Sequence, residues 1–126
     1  MPEPRQSPEP IRGPLLLPRL RVMNGSEIAF GPGKAQLLAA IADAGTLAEA
    51  ARRLDMSYMR AWKLLQTMNS SFREPLAVSS RGGAEKGRAE LTETGRRVLA
   101  LYREMEAACR RAAEPGWREM WALLAQ

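Results

Sequence analysis

The sequence predicts a mainly α-helical domain with small β elements, and three observations carry that prediction. First, "TLAEAARRLDMSYMRAWKLLQTMN" holds two helix starts, at Thr46 and Ser57, with a short interruption between them. Second, a Gly-rich, charged segment follows between two short runs suited to strands. Third, "TETGRRVLALYREMEAACRRA" repeats apolar residues at near-heptad spacing for longer than a small core requires.

Length and composition set the bounds. With 126 residues the chain makes one compact domain with a real core. The formal charge is +5, and sixteen of the nineteen cations are Arg, whose planar fork suits phosphate and guanine edges. Residues 46–97 hold ten cations against six anions, whereas residues 98–126 hold four of each, so the excess sits in the middle of the chain. A polyanion is the partner this distribution points to. One cysteine, Cys109, excludes an internal disulfide, and with no His neither a zinc site nor a His-based triad can be assembled. No catalytic residues, metal or cofactor are expected, and an enzyme is excluded on the same grounds. No run of about 18 apolar residues is present, nor a basic start followed by an apolar run, which predicts a cytoplasmic protein with no membrane partner.

Six of the nine prolines fall in residues 1–18, where they deny helices and ladders their N–H donors; this stretch reads as a flexible leader. "RLRVMNGSEIAF" alternates apolar and polar residues around Asn24-Gly25, predicting a β-hairpin closed by a type I′ turn. Its apolar side would carry Leu20, Val22, Ile28 and Phe30. "GPGKAQLLAAIADAG" begins a helix at Gly31-Pro32-Gly33 and ends it at Gly45, with Leu37, Leu38, Ile41 and Ala44 on one face. Lys34 after those glycines lacks the spacing of a phosphate-binding loop.

Thr46, with Glu49 three residues on, makes a capping box, and Leu47, Ala50, Ala51 and Leu54 form the buried face of the helix it starts. Asp55 can take the left-handed conformation that ends that helix, and Ser57 caps the next one, beginning at Tyr58. "DMS" is therefore a turn between two helices. Ala61, Leu64, Leu65, Met68 and Phe72 give the second helix its inward face. Strands at residues 76–80 and 88–91 then flank a charged tip as a β-ribbon wing. Thr92 caps the long helix, whose seam is Val98, Leu101, Tyr102, Met105, Ala108 and Ala112. Pro115-Gly116 is expected to break the chain before a short amphipathic helix in residues 114–126.

Helix, helix-turn-helix, wing and trailing helix describe a winged helix-turn-helix over residues 19–113, a fold whose second helix can enter the major groove of double-stranded DNA. Tyr58, Met59, Arg60, Trp62, Lys63 and Gln66 lie away from the inward face, next to the cap at Ser57, and form the expected reading surface. Arg60 is the leading base reader, because Arg can contact guanine bidentately. Trp62 could pack between helix and wing or touch a thymine methyl. Arg81, Lys86 and Arg88 are expected phosphate or minor-groove contacts from the wing. Arg52 and Arg53 lie against the DNA backbone or in solvent.

These motifs carry a resemblance. G-P-G-K at Gly31–Lys34, M-S-Y-x-x-A-W at Met56–Trp62, Met68-Asn69, and the Gly-rich wing ending in A-x-L-T at Ala89–Thr92 resemble the N-terminal DNA-binding domain of ModE-type molybdate-responsive transcription regulators. The likeness covers about residues 19–112. LysR-type regulators share "AARRL" and the Ser cap but differ in the hairpin and in the S-Y-x-x-A-W start. The resemblance implies a sequence-specific regulator that binds a palindromic operator as a dimer, and the apolar seam of the long helix, more than so small a domain can cover, places the homodimer contact on Thr92–Ala113. Family members carry oxyanion-binding modules after this domain, and this sequence ends where those would begin, so tight molybdate binding is not expected. The competing reading is a winged-helix module that holds a protein partner without sequence-specific DNA binding. It gives no reason for excess charge in residues 46–97.

Overall fold

A computed structural model describes residues 13–79 and 87–125. Its elements are β1 (Val22–Asn24), β2 (Glu27–Phe30), α1 (Pro32–Ala44), α2 (Leu47–Arg53), α3 (Tyr58–Ser71), β3 (Ala77–Ser79), β4 (Ala89–Leu91) and α4 (Glu93–Leu123). β1 with β2 and β3 with β4 make two antiparallel two-stranded sheets. The architecture is a winged helix-turn-helix with an N-terminal hairpin and a long final helix. Of the expected leader, residues 1–12 lie outside the described residues, and residues 13–21 carry neither helix nor strand.

The hairpin differs from expectation in its turn and its face. Asn24 pairs with Glu27, so Gly25 and Ser26 form the two-residue loop. Only Gly25 has a positive φ, 64°, which is what a type II′ turn with Gly at its first central position requires. The register also shifts between Val22 and Met23, interrupting the two-residue alternation. Phe30 is fully buried as expected, but Val22 and Ile28 are exposed and Ala29 is buried beside Phe30.

Proline at the first position of α1 loses no hydrogen bond there, and Gly45, with φ 80°, ends the helix in the left-handed region. Leu37, Leu38 and Ile41 are fully buried in the core that α1 shares with α2, α3, β4 and α4. α2 is capped by Thr46, whose Oγ1 accepts from the Glu49 N–H at 3.1 Å. The capping box is only half formed, because the Glu49 carboxylate turns to Arg52 and Arg53 instead. Asp55 has φ 54°, and the Met56 N–H bonds the Ala51 carbonyl at 3.0 Å, so the expected left-handed exit is present. Ala51 and Ala61 are both buried where α2 and α3 approach, a packing that longer side chains would hold apart.

The wing base is fastened to the helical core. The Ala89 N–H bonds the Gly45 carbonyl at 2.7 Å, Arg88 forms a β-bridge with Thr46, and the Thr92 N–H bonds the Leu76 carbonyl at 2.9 Å. α4 departs from two expectations. It runs unbroken through Pro115 and Gly116 as a single 31-residue helix, where a break and a separate segment were expected. Along it, Trp117 and Trp121, one turn apart, stack with ring centroids 5.8 Å apart, so the apolar stripe read as a separate helix extends the same one. Tyr102, assigned to the outer seam, is instead buried against Phe30, with ring centroids 5.1 Å apart, and its hydroxyl donates to the Leu20 carbonyl at 2.8 Å. Leu99, which had no assigned role, joins it in the core.

Candidate nucleic-acid interface

α3 is built to present its first turns. Ser57 Oγ accepts from the Arg60 N–H at 3.1 Å, which fixes the helix start and satisfies one of its otherwise unpaired donors. Ala61, Leu65 and Met68 anchor the helix in the core. Tyr58, Met59, Arg60, Trp62, Lys63 and Gln66 all remain exposed on the remaining surface. Trp62 keeps 39% of its surface, Tyr58 55% and Met59 58%, large apolar exposures for adjoining positions of one short helix. α3 contains no acidic residue. Among the described residues, Arg60 and Lys63 enter no ion pair, whereas Arg52 and Arg53 do: Arg52 bonds Glu49 at 2.5 Å, and Arg53 bonds Asp43 at 2.6 Å. The helix that was expected to read DNA thus carries uncompensated cations, and the preceding helix has its own neutralised locally.

The sequence-predicted wing residues divide. Arg88 stands at the wing base in the bridge with Thr46, while Arg81 and Lys86 lie outside the described residues. The structure therefore brings Ser57, Tyr58, Met59, Arg60, Trp62, Lys63 and Gln66 together at the exposed start of α3 and holds Arg88 beside the α1–α2 junction.

One positioning residue escaped the sequence reading. The Asn69 side chain accepts from the N–H groups of Leu76 and Ala77, at 2.8 and 3.3 Å, and donates to the Ala77 carbonyl at 2.9 Å. A single amide on α3 thereby fixes where the wing begins relative to α3. Only its place at the end of α3, beside Met68, hinted at this, and such a pairing across the chain leaves no periodic signal.

Glu49 is held well below the ordinary carboxylate range, to about 2, by hydrogen bonds from Arg52 first and then Arg53. Burial lowers the pKa of Lys34, a shift that the nearby Glu27 carboxylate opposes. Among the described residues no group of His, Cys, Asp and Glu side chains could hold a metal ion, and no helix is long and apolar enough to cross a membrane.

The family of bacterial regulatory helix-turn-helix proteins, lysR family, matches residues 33–96. The chain is 40% identical over 78 residues to the molybdenum transport protein ModE of Azotobacter vinelandii, covering 62% of this chain and 29% of that protein. To the molybdenum-pterin-binding protein MopA of Rhodobacter capsulatus it is 35% identical over 97 residues, covering 77% of this chain and 37% of the relative. To the DNA-binding transcriptional dual regulator ModE of Escherichia coli (strain K12) it is 34% identical over 71 residues, covering 56% and 27%. The chain thus spans roughly a third of the length of these relatives. Among solved structures, the CbnR DNA-binding domain in complex with DNA superposes with a TM-score of 0.56 at 23% identity, covering 70% of this chain and 95% of that one. This likeness shows the winged-helix fold.

Proposed function

Because the chain belongs to the lysR family of bacterial regulatory helix-turn-helix proteins, with a DNA-binding domain of the ModE type, we propose that it regulates transcription by binding a specific double-stranded DNA site. The observation that carries this reading is the exposed, acid-free start of α3, where Arg60 and Lys63 stand beside the Ser57 cap. A helix placed this way enters the major groove with its first turns against base edges. Arg60 reads a guanine, while Tyr58, Met59, Trp62 and Gln66 supply apolar and polar contacts around it. Ser57, Lys63 and the wing cations Arg81, Lys86 and Arg88 hold phosphates and set the register. The protein works in the cytoplasm, where bacterial DNA lies. It binds as a homodimer through α4, so that two reading helices meet successive turns of a palindromic site.

Replacing Arg60 with Ala tests the central assignment. The variant is expected to lose about 1–3 kcal/mol per half-site on the preferred duplex and much less on random DNA. Fluorescence titrations on both duplexes measure the difference. Equal losses on both would make Arg60 a phosphate anchor and move base reading to another residue of α3.

A further inference from the structure

A groove opens between the hairpin, the start of α1 and one flank of α3, lined among others by Arg19, Arg21, Ile28, Lys34, Leu64 and Thr67. Leu64 and Thr67 stand one helical turn beyond Arg60 and Lys63, so the groove borders the flank of α3 that carries Arg60. Asn69 fixes the wing against the same helix through Leu76 and Ala77, and its position, about half a turn around α3 from Thr67, places the wing on the other flank. The reading helix therefore lies between two projecting β elements.

Three cations, Arg19, Arg21 and Lys34, line this groove, and Glu27 is the carboxylate near Lys34. Arg19 and Arg21, two residues apart in the segment that leads into β1, both line the groove. Both are exposed, and among the described residues neither forms an ion pair. Beneath them Lys34 is only 8% exposed, and its ammonium donates to the Ile28 carbonyl, which ties the hairpin to α1. An anion above it would offset the desolvation that now depresses its pKa. The groove also receives the N-terminus of the 13-residue α1 through Gly31 and Gly33, which adds the positive end of that helix to the three cations.

We propose that this groove receives a backbone phosphate of the DNA that α3 reads, with Arg19 and Arg21 as its ligands. The proposal rests on the reading of α3 as a major-groove helix. A major groove is bordered by a sugar-phosphate backbone on each side, and the wing serves one of them. The segment leading into the hairpin serves the other, and Lys34, bonded to the Ile28 carbonyl, is a positioning residue that holds the hairpin there.

The test uses the full chain with Arg19→Gln, Arg21→Gln and the double variant, each checked by circular dichroism for unchanged helix content. Titrations employ a duplex selected by the unaltered chain from a random pool and a scrambled duplex of the same length, at several salt concentrations. The double Gln variant is expected to lose affinity in the same ratio on both duplexes, and its plot of log affinity against log salt to flatten by about one unit. Arg19→Lys with Arg21→Lys should restore the slope. If the double Gln variant keeps the original affinity and slope while Arg60→Ala still changes sequence preference, the groove assignment is wrong and the reading of α3 stands. Failure of the unaltered chain to prefer any duplex removes the reading itself. A third arm titrates inorganic phosphate and follows the Gly33 and Lys34 amides by NMR. A saturating response that is abolished in the double variant, with an unaltered DNA slope, would assign the groove to a free oxyanion and overturn the proposal.

Discussion

A Cβ added at Gly95 would stand 1.9 Å from the Leu76 carbonyl oxygen and 2.8 Å from its carbon, so the first turn of α4 lies directly on the residue that precedes β3 and opens the wing. Thr92 holds it there, since its Oγ1 accepts from the Gly95 N–H at 2.9 Å and donates to the Pro75 carbonyl at 2.7 Å. In an exposed helix, exchanging Gly for Ala gains about 0.5–1 kcal/mol from backbone entropy. Here the clash with backbone reverses that sign, and Gly95→Ala is expected to destabilise the domain by about 1–3 kcal/mol in urea unfolding. Equal or greater stability would show that α4 can lift away from Leu76 at no cost. Glu49 makes a second prediction at this scale. Its folded pKa of about 2 lies below the ordinary glutamate value of 4.5, so the stabilisation it contributes is fully present above pH 4.5 and is lost as pH falls toward 2. The side chains are largely solvated, which keeps the contribution small. Titration of the Glu49 carboxyl by NMR should give a midpoint near 2; a midpoint near 4.5 would mean that Arg52 and Arg53 do not hold it in solution.

Elements whose limits depend on one side chain and its own backbone were legible in the sequence. Thr46, Ser57 and Thr92 each accept from the N–H three residues on, and Asp55 takes the left-handed exit. Contacts between distant segments were not legible: Asn69 with the wing, Gly95 with Leu76, and the burial of Tyr102 against Phe30 each join elements that no local pattern relates. The exposed face of α3 was legible because helical spacing separates it from Ala61, Leu65 and Met68. Arg19 and Arg21 were not legible, because apolar alternation marks the inward side of a strand and carries no sign of which cations converge on one groove. Pro115 misled for a different reason. Pro-Gly ordinarily punctuates the chain, and Pro inside a helix removes one hydrogen bond and crowds the preceding turn, at a cost of about 3 kcal/mol. α4 nevertheless continues, with helical residues on both sides and the stacked Trp117 and Trp121 one turn beyond. Pro115→Ala should therefore strengthen the distal helix by about 2–3 kcal/mol. Amide exchange in residues 111–123 should slow accordingly; unchanged exchange would mean that the distal turns are limited by fraying from the C-terminal end.

At the scale of the molecule, the 31 residues of α4 make a helix about 46 Å long, whereas a domain of about 100 residues has a radius of gyration near 13 Å. The helix outruns the core it packs on. Leu99 and Tyr102 face that core, and Leu101 and Met105 are turned aside from it, 39% and 45% exposed, followed by the exposed Ala108 and Ala112 at near-heptad spacing. An apolar strip along a projecting helix is what a second copy, related by a twofold axis, can cover symmetrically. The same axis would set two α3 helices about 34 Å apart, one turn of DNA, which is the geometry a palindromic site requires. Changing both Leu101 and Met105 to Lys places two charges per chain in that strip while leaving Leu99 and Tyr102 in the core. Light scattering should then report monomers whose circular dichroism still shows a folded helical domain. Such monomers should bind a single half-site as well as the unaltered chain does, but should lose the extra affinity for a palindrome, because the second reading helix is no longer tethered to the first. A stable dimer in this variant would place the interface elsewhere on the chain, with the exposed Met120 and Trp121 near the far end of α4 the next surface to alter.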